Sequence, residues 1–115
     1  MNADLEKFRT DLQVLKETAQ QAEKDFYTCG LELALTEEVL PYDALLSRVV
    51  DQVEESIRRS GALQNLLYRV DIPESKFVQL KDTSENFVLD LSRLILEREF
   101  MKVVTRRLYK NQIED

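Results

Sequence analysis

Apolar residues recur along this chain at helical spacing. Leu5, Phe8, Leu12, Leu15, Ala19, Ala22, Phe26, Cys29 and Leu33 follow alternating steps of three and four, an uninterrupted heptad seam. Most positions outside the seam, as far as Asp25, are charged or polar, so the pattern predicts a one-sided helix on the outside of a bundle. Asn2 can cap it, and Asp4 and Glu6 suit the positive end of the helix dipole, which places the start near Asn2 or Ala3. Gly30 lies inside the seam and reads as a bend or close contact, not a firm stop. Beyond it Leu31, Leu33 and Leu35 alternate with Glu32, Ala34 and Thr36. A lone strand has no partner to pair with, so helix or an irregular end is expected there.

Pro41 marks the next start, because the first turn of a helix does not need the N–H that proline lacks. Leu45, Leu46, Val49, Val50, Val53 and Ile57 share one side of this second helix, while Asp51, Glu54, Glu55, Arg58 and Arg59 share the other. Gly61 resembles a helix end, yet Leu63, Leu66, Leu67 and Val70 resume the pattern in step. Continuation to Val70 through a kink is favoured over a second short helix. Asp71-Ile72-Pro73-Glu74 is a firm boundary, since the residue before proline is biased away from helix. A short helix from about Pro73 to Leu80 then leads into the last one, or the two form a single long helix along the seam Phe77, Leu80, Ser84, Phe87, Leu91, Leu94.

The stretch from Asp82 to Tyr109 is the most apolar long segment. At 100° per residue, Phe87, Val88, Leu91, Leu94 and Ile95 fall on one side. Leu89, Leu96, Phe100, Val103 and Val104 fall on roughly the opposite side. A helix with two apolar stripes is buried on two sides. It therefore runs through the middle of its own bundle or offers the second stripe to a partner. Arg98 sits at a seam position, in step with Leu94 and Met101. There it fixes register, or packs its stem and extends its head into water.

The expected fold is all-α, an up-down antiparallel bundle of three long helices, or four with a short helix near 62–71 or 73–80, in a single domain over residues 1–115. Two Gly and two Pro fit this and disfavour a turn-rich β fold. The net charge of −6 is uneven: −5 over residues 1–38, −1 over 39–71 and zero over 72–115. An acidic balance opposes general nucleic-acid or anionic-membrane binding. The absence of a signal-peptide pattern or an apolar run of membrane-spanning length gives a soluble, cytoplasmic protein as the default. Cys29, the single cysteine, is expected to serve as a small buried apolar residue.

The chain contains no His, which removes the usual acid–base, nucleophilic and transition-metal arrangements built on imidazole. Gly30 and Gly61 stand alone, so there is no glycine-rich phosphate loop. Glu97 and Glu99 read as surface charge or as partners of Arg93 and Arg98. No cofactor and no catalytic residue is expected. Lys102, Arg106, Arg107 and Lys110 form a local basic excess, explained by the helix C-terminus and by pairing with the acidic first helix, or else an anion or partner patch. The expectation is a non-enzymatic interaction or scaffold protein, a homodimer meeting through Leu89, Leu96, Phe100, Val103 and Val104, with another protein as a further partner. Nucleic-acid binding through the basic end of the last helix is the second reading.

Overall fold

A computed structural model describes residues 10–35 and 40–114, with side chains described up to residue 110. Five helices are found among them: α1 (Leu12–Thr28), α2 (Tyr42–Arg58), α3 (Ala62–Val70), α4 (Glu74–Thr83) and α5 (Phe87–Glu114). The fold is an all-helical bundle. Three helices are long, and both short ones, near 62–71 and near 73–80, are present as separate elements. The expected start at Asn2 or Ala3 lies outside the described residues.

Helix α1 opens at Asp11, whose carboxylate accepts hydrogen bonds from the Gln13 and Val14 amides at 3.0 and 3.2 Å. Its end corrects the reading of Gly30 as a bend. Gly30 has φ +77°, the Leu31 amide donates to the Phe26 carbonyl (2.9 Å) and the Gly30 amide to Tyr27 (3.0 Å). This is a Schellman stop, with Leu31 and Phe26 both buried as its apolar contact.

The following segment doubles back along α2. Arg59 Nη1 donates to the Gly30 carbonyl at 2.6 Å, and Arg48 Nη1 to the Ala34 carbonyl at 2.7 Å. Leu31 and Leu33 point inward while Glu32 and Ala34 face water. The alternation is thus that of an irregular, extended segment, fastened by arginines where a sheet would use a strand. Because the chain returns in this way, α1 and α2 run in the same direction. Both are antiparallel to α5, as the pairs Arg107–Glu17, Arg106–Gln21 and Lys102–Asp25 show for α1.

Helix α2 stops at Arg58 instead of continuing through Gly61. Arg59 is extended (φ −98°, ψ 129°) and Gly61 has φ +78°, so a second helix begins at Ala62. Leu45, Leu46, Val49 and Val53 are buried as predicted, while Ser56 takes the buried place beyond them and Ile57 is 48 % exposed. Helix α3 ends in a second Schellman-like stop with Asp71 left-handed at φ +69°. Three residues, Ser84 to Asn86, separate α4 from α5, so residues 73–110 are two helices. Asn86 Oδ1 accepts from the Leu89 amide at the start of α5 (3.3 Å), and the Phe77 and Phe87 rings meet edge to face at 5.4 Å.

Helix α5 is the centre. Its 28 residues span about 42 Å, and α1, α2, α3 and α4 all pack on it. Leu91, Ser92, Ile95, Leu96, Glu99, Phe100 and Val103 are buried, a continuous face that joins the two predicted stripes. Leu91, Ile95 and Leu96 share one apolar core with Ala22, Phe26, Leu45, Val49, Val53, Leu66 and Val70. Phe100 forms a second, smaller cluster with Val14 and Leu15. No helix among the described residues is long and apolar enough to cross a membrane.

Candidate functional site

The second stripe of α5 is occupied by the chain itself, which corrects its expected role as a surface offered to another copy. Leu96, Phe100 and Val103 are 0 %, 2 % and 2 % exposed. Leu89 and Val104 are half-buried and pack against the same two cores. The reason lies in the two clusters: Leu96 reaches the residues of α1, α2 and α3, and Phe100 those at the start of α1.

The basic residues are likewise drawn inward. Lys102 Nζ donates to Asp25 Oδ2 at 2.8 Å and to the Arg69 carbonyl at 3.0 Å. Arg106 donates to the Gln21 side-chain oxygen, and Arg107 is paired with Glu17. Lys110 is engaged as well. Pairing with the acidic first helix accounts for the first three. Arg98 is half-buried and extends Nη2 to the exposed Asp71 at 3.0 Å, while its Nε is buried without a partner. Its stem packs and its head reaches the surface.

What these contacts surround is a pair of buried carboxyl groups at the meeting of α1, α3 and α5. Asp25 is 1 % exposed and Glu99 0 %. Asp25 receives Gln21 Nε2 at 3.2 Å on both oxygens, Arg69 Nε at 3.2 Å and Lys102 at 2.8 Å. Burial alone would raise its carboxyl, but hydrogen bonds with Glu99, Lys102 and Gln21 outweigh burial and hold it below the usual range. Glu99 is treated in the opposite way. Burial, then the hydrogen bond and charge of Asp25, push it up to about 8. Lys102 Nζ stands 3.3 Å from Glu99 Oε1, yet neither Glu99 oxygen receives a hydrogen bond. Cys29, half-buried at the end of α1, is raised chiefly by burial and feels the charges of Arg69 and Asp25.

This cluster overturns both readings of Glu99, as surface charge and as a partner of Arg93 or Arg98. Arg93 instead faces Asp90 at 3.6 Å. A sequence signal for its burial exists. Leu89, Ser92, Leu96, Glu99 and Val103 form a seam of alternating three- and four-residue steps, and both polar members are buried. Ser92 resolves its burial locally by donating to the Val88 carbonyl at 2.7 Å. Glu99 has no such local acceptor and turns to α1.

Away from the cluster, a wide polar groove of about 940 Å³ lies between the end of α1 and the side of α2, with Tyr27, Glu32, Asp51 and Glu54 on its walls. Arg58 and Arg59 in the same groove both hold Glu55 at 3.0 Å. Their hydrogen bonds keep the Glu55 carboxyl below its ordinary value. No group of three or more His, Cys, Asp or Glu residues that could hold a metal ion is found among the described residues. Comparison with protein-family models, with curated proteins and with solved structures gives no match.

Proposed function

We propose that this chain is a non-enzymatic helical interaction module that pairs with a second copy through the far end of the α1–α5 pair. The observation that carries this reading is the exposure of large apolar side chains there. Leu12 is 64 %, Leu108 60 % and Tyr109 65 % exposed. The antiparallel order of α1 and α5 brings the start of one beside the end of the other, so these residues share one end of the molecule. A two-helix end with apolar residues in water buries them most simply by meeting its own copy and completing a four-helix arrangement. Tyrosine at such a contact supplies apolar area together with a hydroxyl for the wet rim. The reading keeps the last helix as the means of self-association and moves the contact from its middle to its end.

The alternative, nucleic-acid contact by the basic end of α5, is weakened by the internal partners of Lys102, Arg106 and Arg107. A reducing, cytoplasmic setting, suited to the single thiol Cys29, belongs to the same proposal. The test is solution mass by light scattering for the wild type, Leu108→Glu and Tyr109→Glu. A dimer that becomes a folded monomer in either variant supports the reading. A wild type that is monomeric up to about millimolar concentration overturns it.

A further inference from the structure

Glu99 presents a carboxyl group to another carboxyl group beneath the protein surface, with Lys102 Nζ close to both. It is fully buried on α5, and its two oxygens receive no hydrogen bond. The nearest cation, Lys102, is 3.3 Å from Oε1 but directs its bonds to Asp25 and to the Arg69 carbonyl. Asp25 of α1 and Lys102 of α5 itself act on Glu99, and behind Asp25 stand Gln21 of α1, Cys29 at its end and Arg69 of α3. Arg98, its neighbour in sequence, is turned to Asp71. Asp25 has its donors already: Gln21, Arg69 and Lys102. An ionised Glu99 would bring a second negative charge without a donor of its own. A protonated Glu99 brings a hydroxyl, and the Asp25 carboxylate beside it accepts.

We propose that Glu99 and Asp25 share one proton across the α1–α5 contact, and that this proton is a latch: when it leaves, α1 lifts from α3 and α5 while α2 stays packed. The selectivity follows from how each helix is fastened. Helix α1 is held on α5 by apolar packing of Val14, Leu15, Ala22 and Phe26 and also by the polar residues Asp25, Gln21 and Glu17, and Asp25 ties that contact to the protonation of Glu99. Helix α2 is seated by Leu45, Val49 and Val53, all 0 % exposed, which do not titrate. Lifting α1 uncovers Val14, Leu15, Ala22 and Phe26, an apolar face that is closed while the proton is present. The rise of Glu99 to about 8 places the release at the alkaline edge of neutrality. The latch does not depend on self-association.

The test uses the full chain between about pH 5.5 and 9.5. Carbon-13 NMR of the Glu99 carboxyl reads the proton, and amide hydrogen exchange, corrected for its intrinsic pH dependence, reads the helices. Glu99 is expected to titrate near 8. Over the same range, α1 amides from Leu15 to Phe26 lose about tenfold or more of their protection relative to α2 amides from Leu45 to Val53. Glu99→Gln, which keeps a donor to Asp25 at every pH, holds α1 protection level. Asp25→Asn removes the neighbouring charge, and the Glu99 midpoint and the loosening of α1 then move down in pH together. If Glu99→Gln does not fold, Asp25→Asn carries the test alone. Titration of Glu99 near its ordinary 4.5 overturns the proposal. Loss of protection in α1 and α2 together, or no change in α1 as Glu99 ionises, also overturns it.

Discussion

Lys102 Nζ lies 2.8 Å from Asp25 Oδ2 and 3.0 Å from the carbonyl of Arg69, so one side chain of α5 fastens both α1 and α3. Its four-carbon stem covers the junction while the ammonium donates to both helices. Lys102→Met keeps the stem and removes the charge. Asp25 then keeps Arg69 and Gln21 but loses its closest cation. The expected loss is about 1–3 kcal/mol in urea unfolding, below the range for a fully buried pair because Lys102 is 28 % exposed. Adding Asp25→Asn should cost less than the two losses combined. A cycle with no coupling would show that the pair is ornamental.

The two carboxyl groups give opposite pH slopes. Above about 4.5 the unfolded chain releases the Glu99 proton that the folded chain keeps up to about 8, so stability falls as pH rises through that window. Asp25 is lowered from 3.8, so its contribution is present above that value and is lost as pH falls through its folded pKa. The melting temperature should therefore peak near about pH 4–5 and decline toward pH 8. Glu99→Gln should flatten the alkaline limb. A melting temperature that climbs between pH 5 and 8 in the wild type contradicts this assignment.

Two left-handed backbone positions offer a test in which side-chain contacts count for little. Gly61 has φ +78° with nothing within 4 Å of an added Cβ, so Gly61→Ala should destabilise by about 1 kcal/mol through conformation alone. Asp71 holds the same region at φ +69° and is 80 % exposed, so its ion pair with Arg98 contributes little. Asp71→Gly should stabilise by about 0.5–1 kcal/mol. Thermal melts of both variants against the wild type decide it.

Phe100 and Leu108 stand for the two sides of α5. Phe100→Ala empties the cluster with Val14 and Leu15 and should cost about 3–5 kcal/mol. Phe100→Glu should leave the chain unfolded. Leu108→Glu, on a 60 % exposed residue, should change folding stability by less than about 0.5 kcal/mol while acting on solution mass. Circular dichroism separates these outcomes, and a folded, stable Phe100→Glu would show that the interior packing is wrong.

Much of this fold was legible in the chain. The apolar spacing of Leu45, Val49 and Val53, the proline boundaries at Pro41 and Pro73, and the two-sided stretch after Asp82 each correspond to an element seen. Gly30 and Gly61 were harder. A glycine within a helix costs only about 1 kcal/mol, so an apolar pattern running through it is compatible with either outcome. What decides is a left-handed φ, which depends on contacts elsewhere: Arg59 on the Gly30 carbonyl and Leu31 beside Phe26. The Asp25–Glu99 pair was hidden for a related reason. A lone acid at a seam position is common at surfaces, and its burial becomes readable only once the helix carrying its partner is known. The same holds for the second stripe of α5, whose cover comes from α1, α2 and α3, residues far away in sequence.

The central place of α5 also bears on how the molecule is made. Synthesis delivers α1, α2, α3 and α4 before the helix on which all of them rest. Until residues 87–103 leave the ribosome, the inward faces of Phe26, Leu45, Val49 and Leu66 have no common wall, and the junction around Asp25 lacks Glu99 and Lys102. A nascent chain that has reached only α4 therefore carries open apolar surface, which closes once α5 has emerged. A circular permutant that begins with α5 would close its core progressively, helix by helix, and would spend less time exposed to aggregation.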